Sequence, residues 1–219
     1  MRSHLKFLIY LVLAITFSFA NAGSYEDFFV AIKRDDPNTI NELLRRGFDP
    51  NTIDAKGQHG LFIALQDGSL KAAEALIAWP KTKVEWRSAK DESPLMIASL
   101  KGYKDLVRRL IERDADVSKP GWAPLHYAAT GGHVEVILML LEAHAYVDAE
   151  SPNKSTPLMM AAMYGSTAAV RALLDGGADP TLRNELGLSA VEFAQRASRP
   201  DAAELVAAAI RKRQPKGMW

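Results

Sequence analysis

Ser151-Pro-Asn-Lys154 places an amine three residues after a hydroxyl, the S-x-x-K spacing of serine acyl enzymes, in which a neighbouring base activates the serine. That chemistry needs the serine at the start of a helix beneath a pocket. Here the four residues fall on an expected loop and the companion motifs are absent, so chance explains a pattern with two fixed positions. Histidine is equally sparse. Beyond residue 22 it occurs only at 59, 126, 133 and 144, and the seven-residue gap from His126 to His133 is not a metal-ligand spacing such as H-E-x-x-H. The absence of cysteine excludes disulfides, thiolate nucleophiles and iron–sulfur or zinc-thiolate centres. No glycine-rich phosphate loop occurs. The residues therefore predict no enzyme, no bound metal and no cofactor.

Charge narrows the class further. The chain of 219 residues carries 27 Lys and Arg against 26 Asp and Glu, without the concentrated basic footprint that nucleic-acid binding requires. Its N-terminus reads as an export signal. Arg2, His4 and Lys6 precede an apolar run from Phe7 to Ile15, and Ala20-Asn-Ala22 forms an A-x-A cleavage site. Cleavage after Ala22 is expected; the rival is an uncleaved anchor, although the run is shorter than the roughly 18 to 20 residues that span a bilayer. Removing residues 1–22 turns the slight basic excess into an excess of one acid. A cysteine-free exported chain suits a bacterial periplasm, or secretion by a bacterium, better than an animal secretome.

The elements that would position any site repeat. Ser93-Pro-Leu-Met-Ile-Ala-Ser99, Ala123-Pro-Leu-His-Tyr-Ala-Ala129 and Thr156-Pro-Leu-Met-Met-Ala-Ala162 are copies of one phrase. Each is followed by a glycine (102, 132, 165) and then an aliphatic pair (110–111, 140–141, 173–174). Weaker copies flank them. Anchors at Phe28, Leu61, Leu95, Leu125, Leu158 and Val191 lie 33, 34, 30, 33 and 33 residues apart. This resembles the ankyrin repeat, a β-turn finger and two antiparallel helices in about 33 residues. The resemblance covers about residues 24–214 and implies an all-α solenoid of about six helix-turn-helix repeats with β-turn fingers, a domain at 23–214 and a flexible tail at 215–219 ending in Trp219.

The phrase makes physical sense by itself. Ser93 and Thr156 offer N-cap oxygens, and Pro94 and Pro157 take the first helical position, where a missing N–H costs nothing. Gly102, Gly132 and Gly165 are expected to permit the turn between helices. The end copies should be polar caps: residues 26–46 are expected to expose Lys33, Arg34, Asp35 and Asp36. Arg211-Lys212-Arg213 is read as cations favouring a helix C-terminus. The resemblance implies that His126 and His133 brace loops, but Ala123 stands where the family has threonine, which leaves open whether His126 contacts a neighbouring repeat instead. The 30-residue spacing shortens the finger at Val117–Pro124 by three residues, leaving a notch in the row of finger tips. The 34-residue spacing inserts one residue near Trp79-Pro80, and local packing is the expected role of Trp79 and Trp86.

The resemblance further implies binding of macromolecules through finger tips and the exposed side of the inner helices. In that register the outer copies are mainly polar, whereas Leu100, Trp122, Met163 and Tyr164 fall on three central copies, with Lys90 and Lys101 beside them. Apolar anchors ringed by charge are the composition of an interface hot spot. The expected function is an exported, monomeric scaffold that binds a protein on its concave face, as an accessory or protective factor for an envelope protein. The alternatives are an immunity-type inhibitor of a toxic effector, or a membrane-tethered scaffold if the signal stays attached.

Overall fold

The computed structural model describes residues 23–213. The expected export segment, residues 1–22, and the tail at 215–219 lie outside the described residues. Among these residues there are twelve helices, and the only sheet pairing is one antiparallel bridge between Ile53 and His59. The chain is all-α and built of helix-turn-helix repeats. It divides into two compact units, one ending at Lys83 and the other starting at Val84.

The first unit holds α1 (residues 23–33), α2 (Pro37–Arg45), α3 (Gly60–Asp67) and α4 (Leu70–Ala78). Phe28, Ile32, Ile40, Leu61, Phe62, Leu65 and Leu76 are all at most 1% exposed and form its core. Gly60 takes the first helical position that proline holds in later repeats. A Cβ there would lie 2.9 Å from both Ile32 and Phe28, so the close approach of α1 excludes a side chain. Lys33 and Arg34 are exposed as expected, but Asp35 and Asp36 are half-buried. Asp36 caps α2, accepting N–H groups from Asn38 and Thr39 at 3.0 and 3.2 Å and the Thr39 hydroxyl at 2.7 Å. These bonds, the Thr39 hydroxyl first, hold its carboxyl below the usual range. Asp35 accepts the Ala72 N–H at 2.8 Å, one of the orphan donors at the start of α4. Both acids close helix ends rather than merely solvating a cap.

The second unit stacks four repeats: α5 (Pro94–Lys101) with α6 (Lys104–Glu112), α7 (Pro124–Gly131) with α8 (Val134–Glu142), α9 (Pro157–Met163) with α10 (Thr167–Asp175), and α11 (Ala190–Arg196) with α12 (Pro200–Arg213). The inner helices α5, α7, α9 and α11 pack in sequence, and so do the outer helices. One device closes the start of every inner helix. The third helical residue returns an acceptor to the N–H of the cap residue: the thioethers of Met96 and Met159, Nδ1 of His126 and the carboxylate of Glu192.

The first three of these inner helices are also tied to the next repeat. His133 Nε2 donates to Leu100 O at 2.9 Å, Ser166 Oγ to Gly132 O at 3.2 Å, and Arg199 to Ala161 O and Ala162 O at 2.8 and 3.0 Å. The turn glycines divide by cause. Gly102 and Gly132 are left-handed, with φ of 73° and 72°. Gly165 does not share that conformation; a Cβ there would sit 2.2 Å from Ala129 O, so it serves the approach of α7 to α9.

Candidate protein-binding face

Four fingers share one turn. The residue seven before the anchor (Asp54, Ser88, Ser151, Asn184) donates its N–H to the carbonyl four residues on at 2.9–3.0 Å. The residue three after it (Gly57, Asp91, Lys154, Gly187) donates back to it at 2.7–2.9 Å and is left-handed, with φ between 59° and 74°. Ser151 and Lys154 therefore form a turn. The serine hydroxyl is buried, donates to Asn153 Oδ1 at 2.6 Å and accepts the Ser155 N–H at 2.9 Å.

The short finger departs from this pattern. Gly121 keeps the left-handed tip, with φ 79°, but the Ser118 N–H turns to Asp116 Oδ1 at 3.0 Å. The carbonyl of Trp122, which corresponds to the acceptors of the other fingers, takes the ammonium of Lys119 at 3.1 Å instead. That ammonium also pairs with Asp91 at the tip of the preceding finger, and the Lys119 side chain is only 9% exposed. The hydrogen bond from Lys119 keeps the Asp91 carboxyl below its usual range. Three lost backbone residues are thus replaced by one buried cation that links two fingers.

Trp122 stands on this pinned loop. It is 36% exposed and meets the His126 ring edge to face, with centroids 5.2 Å apart. His126 is fully buried. Its Nδ1 accepts the Ala123 N–H at 3.1 Å, so Nε2 carries the proton and donates to Ser155 O at 3.0 Å. The histidine therefore braces its own cap and also the next repeat, although threonine is missing at 123. Burial pushes its pKa down to about 4, leaving the ring neutral. Tyr127 donates to Glu92 at 3.3 Å, and its phenol is pushed up to about 12 by burial and then by the Glu92 charge.

Of the six predicted residues, Lys90, Lys101, Trp122 and Tyr164 are exposed, whereas Leu100 and Met163 are half-buried. Leu100 and Met163 hold the same register on α5 and α9, with Thr130 between them on α7, and Lys101 and Tyr164 follow one residue later. Stacking of the inner helices brings these four to one face. Lys90 and Trp122 are set on fingers. Tyr164 is 59% exposed and caps the end of α9 in right-handed geometry, where α3, α5 and α7 end on left-handed glycines.

The sequence reading missed the two most exposed of the large apolar side chains. Leu186, 75% exposed, lies five before its anchor, at the finger register of Lys90, so the repeat alignment would have found it. Tyr146, 64% exposed, lines an open cavity of about 710 Å³ with Ser118, Pro120, Gly121 and Glu150. The missing finger residues were its signal. Trp79 and Trp86 are half-buried. Arg213 of the basic cluster donates to Gly177 O and Ala178 O at 3.3 and 3.0 Å, which ties α12 back to the previous repeat.

The family model for ankyrin repeats (three copies) matches at residues 28–120, 81–151 and 118–184. Among curated proteins, the chain is 28% identical over 155 residues to the B-cell lymphoma 3 protein homolog of Mus musculus, covering 68% of this chain and 35% of that protein. It is 34% identical over 128 residues to ankyrin repeat and SAM domain-containing protein 6 of Mus musculus, covering 56% of this chain and 14% of that protein. The chain thus spans about a third of the first relative's length and much less of the second. A crystal structure of an ankyrin repeat domain from Acinetobacter baumannii AYE superimposes with a TM-score of 0.72 at 25% identity, over 83% of this chain and 96% of that one. With the family model matching most of the chain and the turn, cap and brace recurring repeat by repeat, the chain belongs to the ankyrin-repeat family.

Proposed function

We propose that the chain is an exported scaffold that holds an envelope protein on the face carrying Lys90, Leu100, Lys101, Trp122, Met163 and Tyr164, on the concave side of the repeats. Ankyrin-repeat domains in general mediate protein–protein interaction. The observation that carries the reading is the presentation of Trp122: a partly exposed indole on a loop fixed by the buried Lys119 cation and backed by a neutral imidazole. A large aromatic side chain held in place before contact loses little entropy on binding, the property of a hot-spot anchor. The N-terminal A-x-A pattern supports export to a bacterial periplasm or beyond it.

The test is cross-linked recovery from the envelope fraction with tagged protein, run beside a Trp122→Ala/Tyr164→Ala variant and read by mass spectrometry. One abundant partner that the parent recovers and the variant loses by at least about 30-fold is the expected result, since anchor truncations cost about 2 kcal/mol or more. Equal recovery would remove the site from this face. The intact mass of the same preparation should be that of a chain beginning at Gly23; a chain retaining residues 1–22 would favour the membrane-tethered scaffold instead. An accessory factor leaves the partner's activity intact, whereas an immunity-type inhibitor abolishes it.

A further inference from the structure

Tyr146 stands where three other repeats carry an aspartate. Asp49, Asp116 and Asp179 each accept the N–H two residues on, at 2.9–3.0 Å, and so close a local turn. Tyr146 gives up that bond and is 64% exposed. It lines the cavity of about 710 Å³ left by the short finger, with Pro120 and Leu182 as apolar neighbours and Asp148, Glu150 and Asp179 as acids. The acids differ in what they already hold. Asp148 accepts the Asp179 N–H at 2.9 Å, and burial raises its carboxyl above the usual range. Asp179 pairs with Arg213 at 3.2 Å. Glu150 is exposed and is the acid left for a further cation.

The last helix delivers a segment of matching chemistry to this spot. All four outer helices of the second unit start nine residues beyond their anchors, but α12 runs fourteen residues where α6, α8 and α10 run nine. After those three the chain turns in left-handed conformation at Asp114, His144 and Gly177, with φ of 60°, 65° and 97°. Ile210 holds that position in α12. A β-branched residue disfavours positive φ, so the helix runs on. Arg213 at its end donates to Gly177 O and Ala178 O and pairs with Asp179, on the wall of the cavity. Gln214-Pro-Lys-Gly-Met-Trp219 follows.

We propose that residues 214–219 occupy this cavity, bringing Lys216 to Glu150 and Trp219 against Tyr146, Pro120 and Leu182. At about 3.3 Å per residue, an extended chain leaving Arg213 covers about 10 Å by Lys216 and about 20 Å by Trp219, enough to cross the cavity from its Asp179 wall. The ammonium meets the open carboxylate, and the indole covers a phenol ring and two apolar side chains. A tether this short holds the segment at about 1 mM or more, so a contact with an intrinsic dissociation constant of about 0.1 mM is about nine-tenths formed. The sequence reading expects a flexible tail here. The docked segment is instead a strap that ties the end of the stack to the short finger and fills its notch.

Acrylamide quenching of Trp219 tests this, its emission being the difference between each protein and the same protein carrying Trp219→Phe. The expected result is a blue-shifted, weakly quenched indole in the parent. Glu150→Lys, at an exposed position, and Lys216→Glu should each release it to the quenching of a solvated tryptophan. The two substitutions together should restore protection, since they exchange the charges. Tyr146→Asp, the residue type of three other repeats, should also release it. A freely quenched Trp219 in the parent overturns the proposal and leaves the cavity to a segment of another protein. Protection indifferent to Glu150→Lys and Tyr146→Asp places the tail elsewhere and overturns it as well. Failure of the exchanged pair to restore protection overturns the contact between Lys216 and Glu150.

Discussion

At the scale of single residues, the third position of the inner helices shows one geometric demand met by different chemistry. A thioether, an imidazole and a carboxylate all accept the same cap N–H. Only His126 also reaches the next repeat, and only the imidazole takes on charge as the medium is acidified. Because its folded pKa is about 4 against 6.5 when solvated, its contribution is complete above pH 6.5 and is lost as pH falls from 6.5 towards 4. The loss amounts to at most about 3 kcal/mol, at 1.36 kcal/mol per unit of pKa. His126→Met copies the solution used at 96 and 159. Thermal melts across pH 7 to 4.5 should show a flatter pH dependence for the variant and lower stability at pH 7, from the lost Ser155 bond. An unchanged slope would place the acid sensitivity elsewhere. The brace by His126 was legible from the repeat phrase, but its double attachment was not. Ala123 removed the expected partner, and nothing in a linear sequence shows that a backbone N–H takes the hydroxyl's place.

At the scale of elements, the fingers show what repeat spacing can and cannot reveal. The 30-residue interval marked the short finger and hence a notch. It could not show that the lysine ammonium takes the acceptor filled by a backbone N–H in the other four. Loop lysines are ordinarily solvated, and the burial of this one depends on where Asp91 of the preceding finger lies. Lys119→Met should therefore cost about 1.5–3 kcal/mol, the worth of a hydrogen bond from a charged donor, and loosen Trp122 with it. Thermal unfolding checks the first effect. Tryptophan fluorescence anisotropy, in a chain whose other tryptophans are replaced by phenylalanine, checks the second. An ordered indole after Lys119 is lost would contradict the pinning. Glycines teach a related lesson: 102, 132 and 165 look alike in the repeat alignment, yet only the first two serve backbone conformation. Close approach between repeats is a three-dimensional fact. Likewise, Asp35 and Asp36 read as surface charge until α4 and the start of α2 supply N–H groups for them to accept.

At the scale of the whole molecule, the repeat class and the register of the expected face followed from six spaced anchors, because stacking energies demand the same residues at the same period. Partner and compartment do not follow from periodicity, since interfaces are set by residues that the stack leaves free to vary. Within the second unit, inner helices contact sequence neighbours, so stability passes from repeat to repeat and local opening is expected near the ends of the stack. The sulfur acceptors carry a consequence for redox chemistry. Met96 and Met159 are 0% exposed and bind cap N–H groups, whereas Met163 is half-buried. Peroxide can reach the first two only when α5 or α9 opens, and sulfoxide formation then prevents clean reclosure. Peptide mapping after dilute peroxide should find Met163 oxidised early, and Met96 and Met159 only at the rate of local unfolding; early oxidation of either would contradict their burial. In an oxidising compartment, these two thioethers would record the openings during which oxidant reached them, for as long as the sulfoxides went unrepaired, so the unfolding history of a molecule could be read from its sulfur.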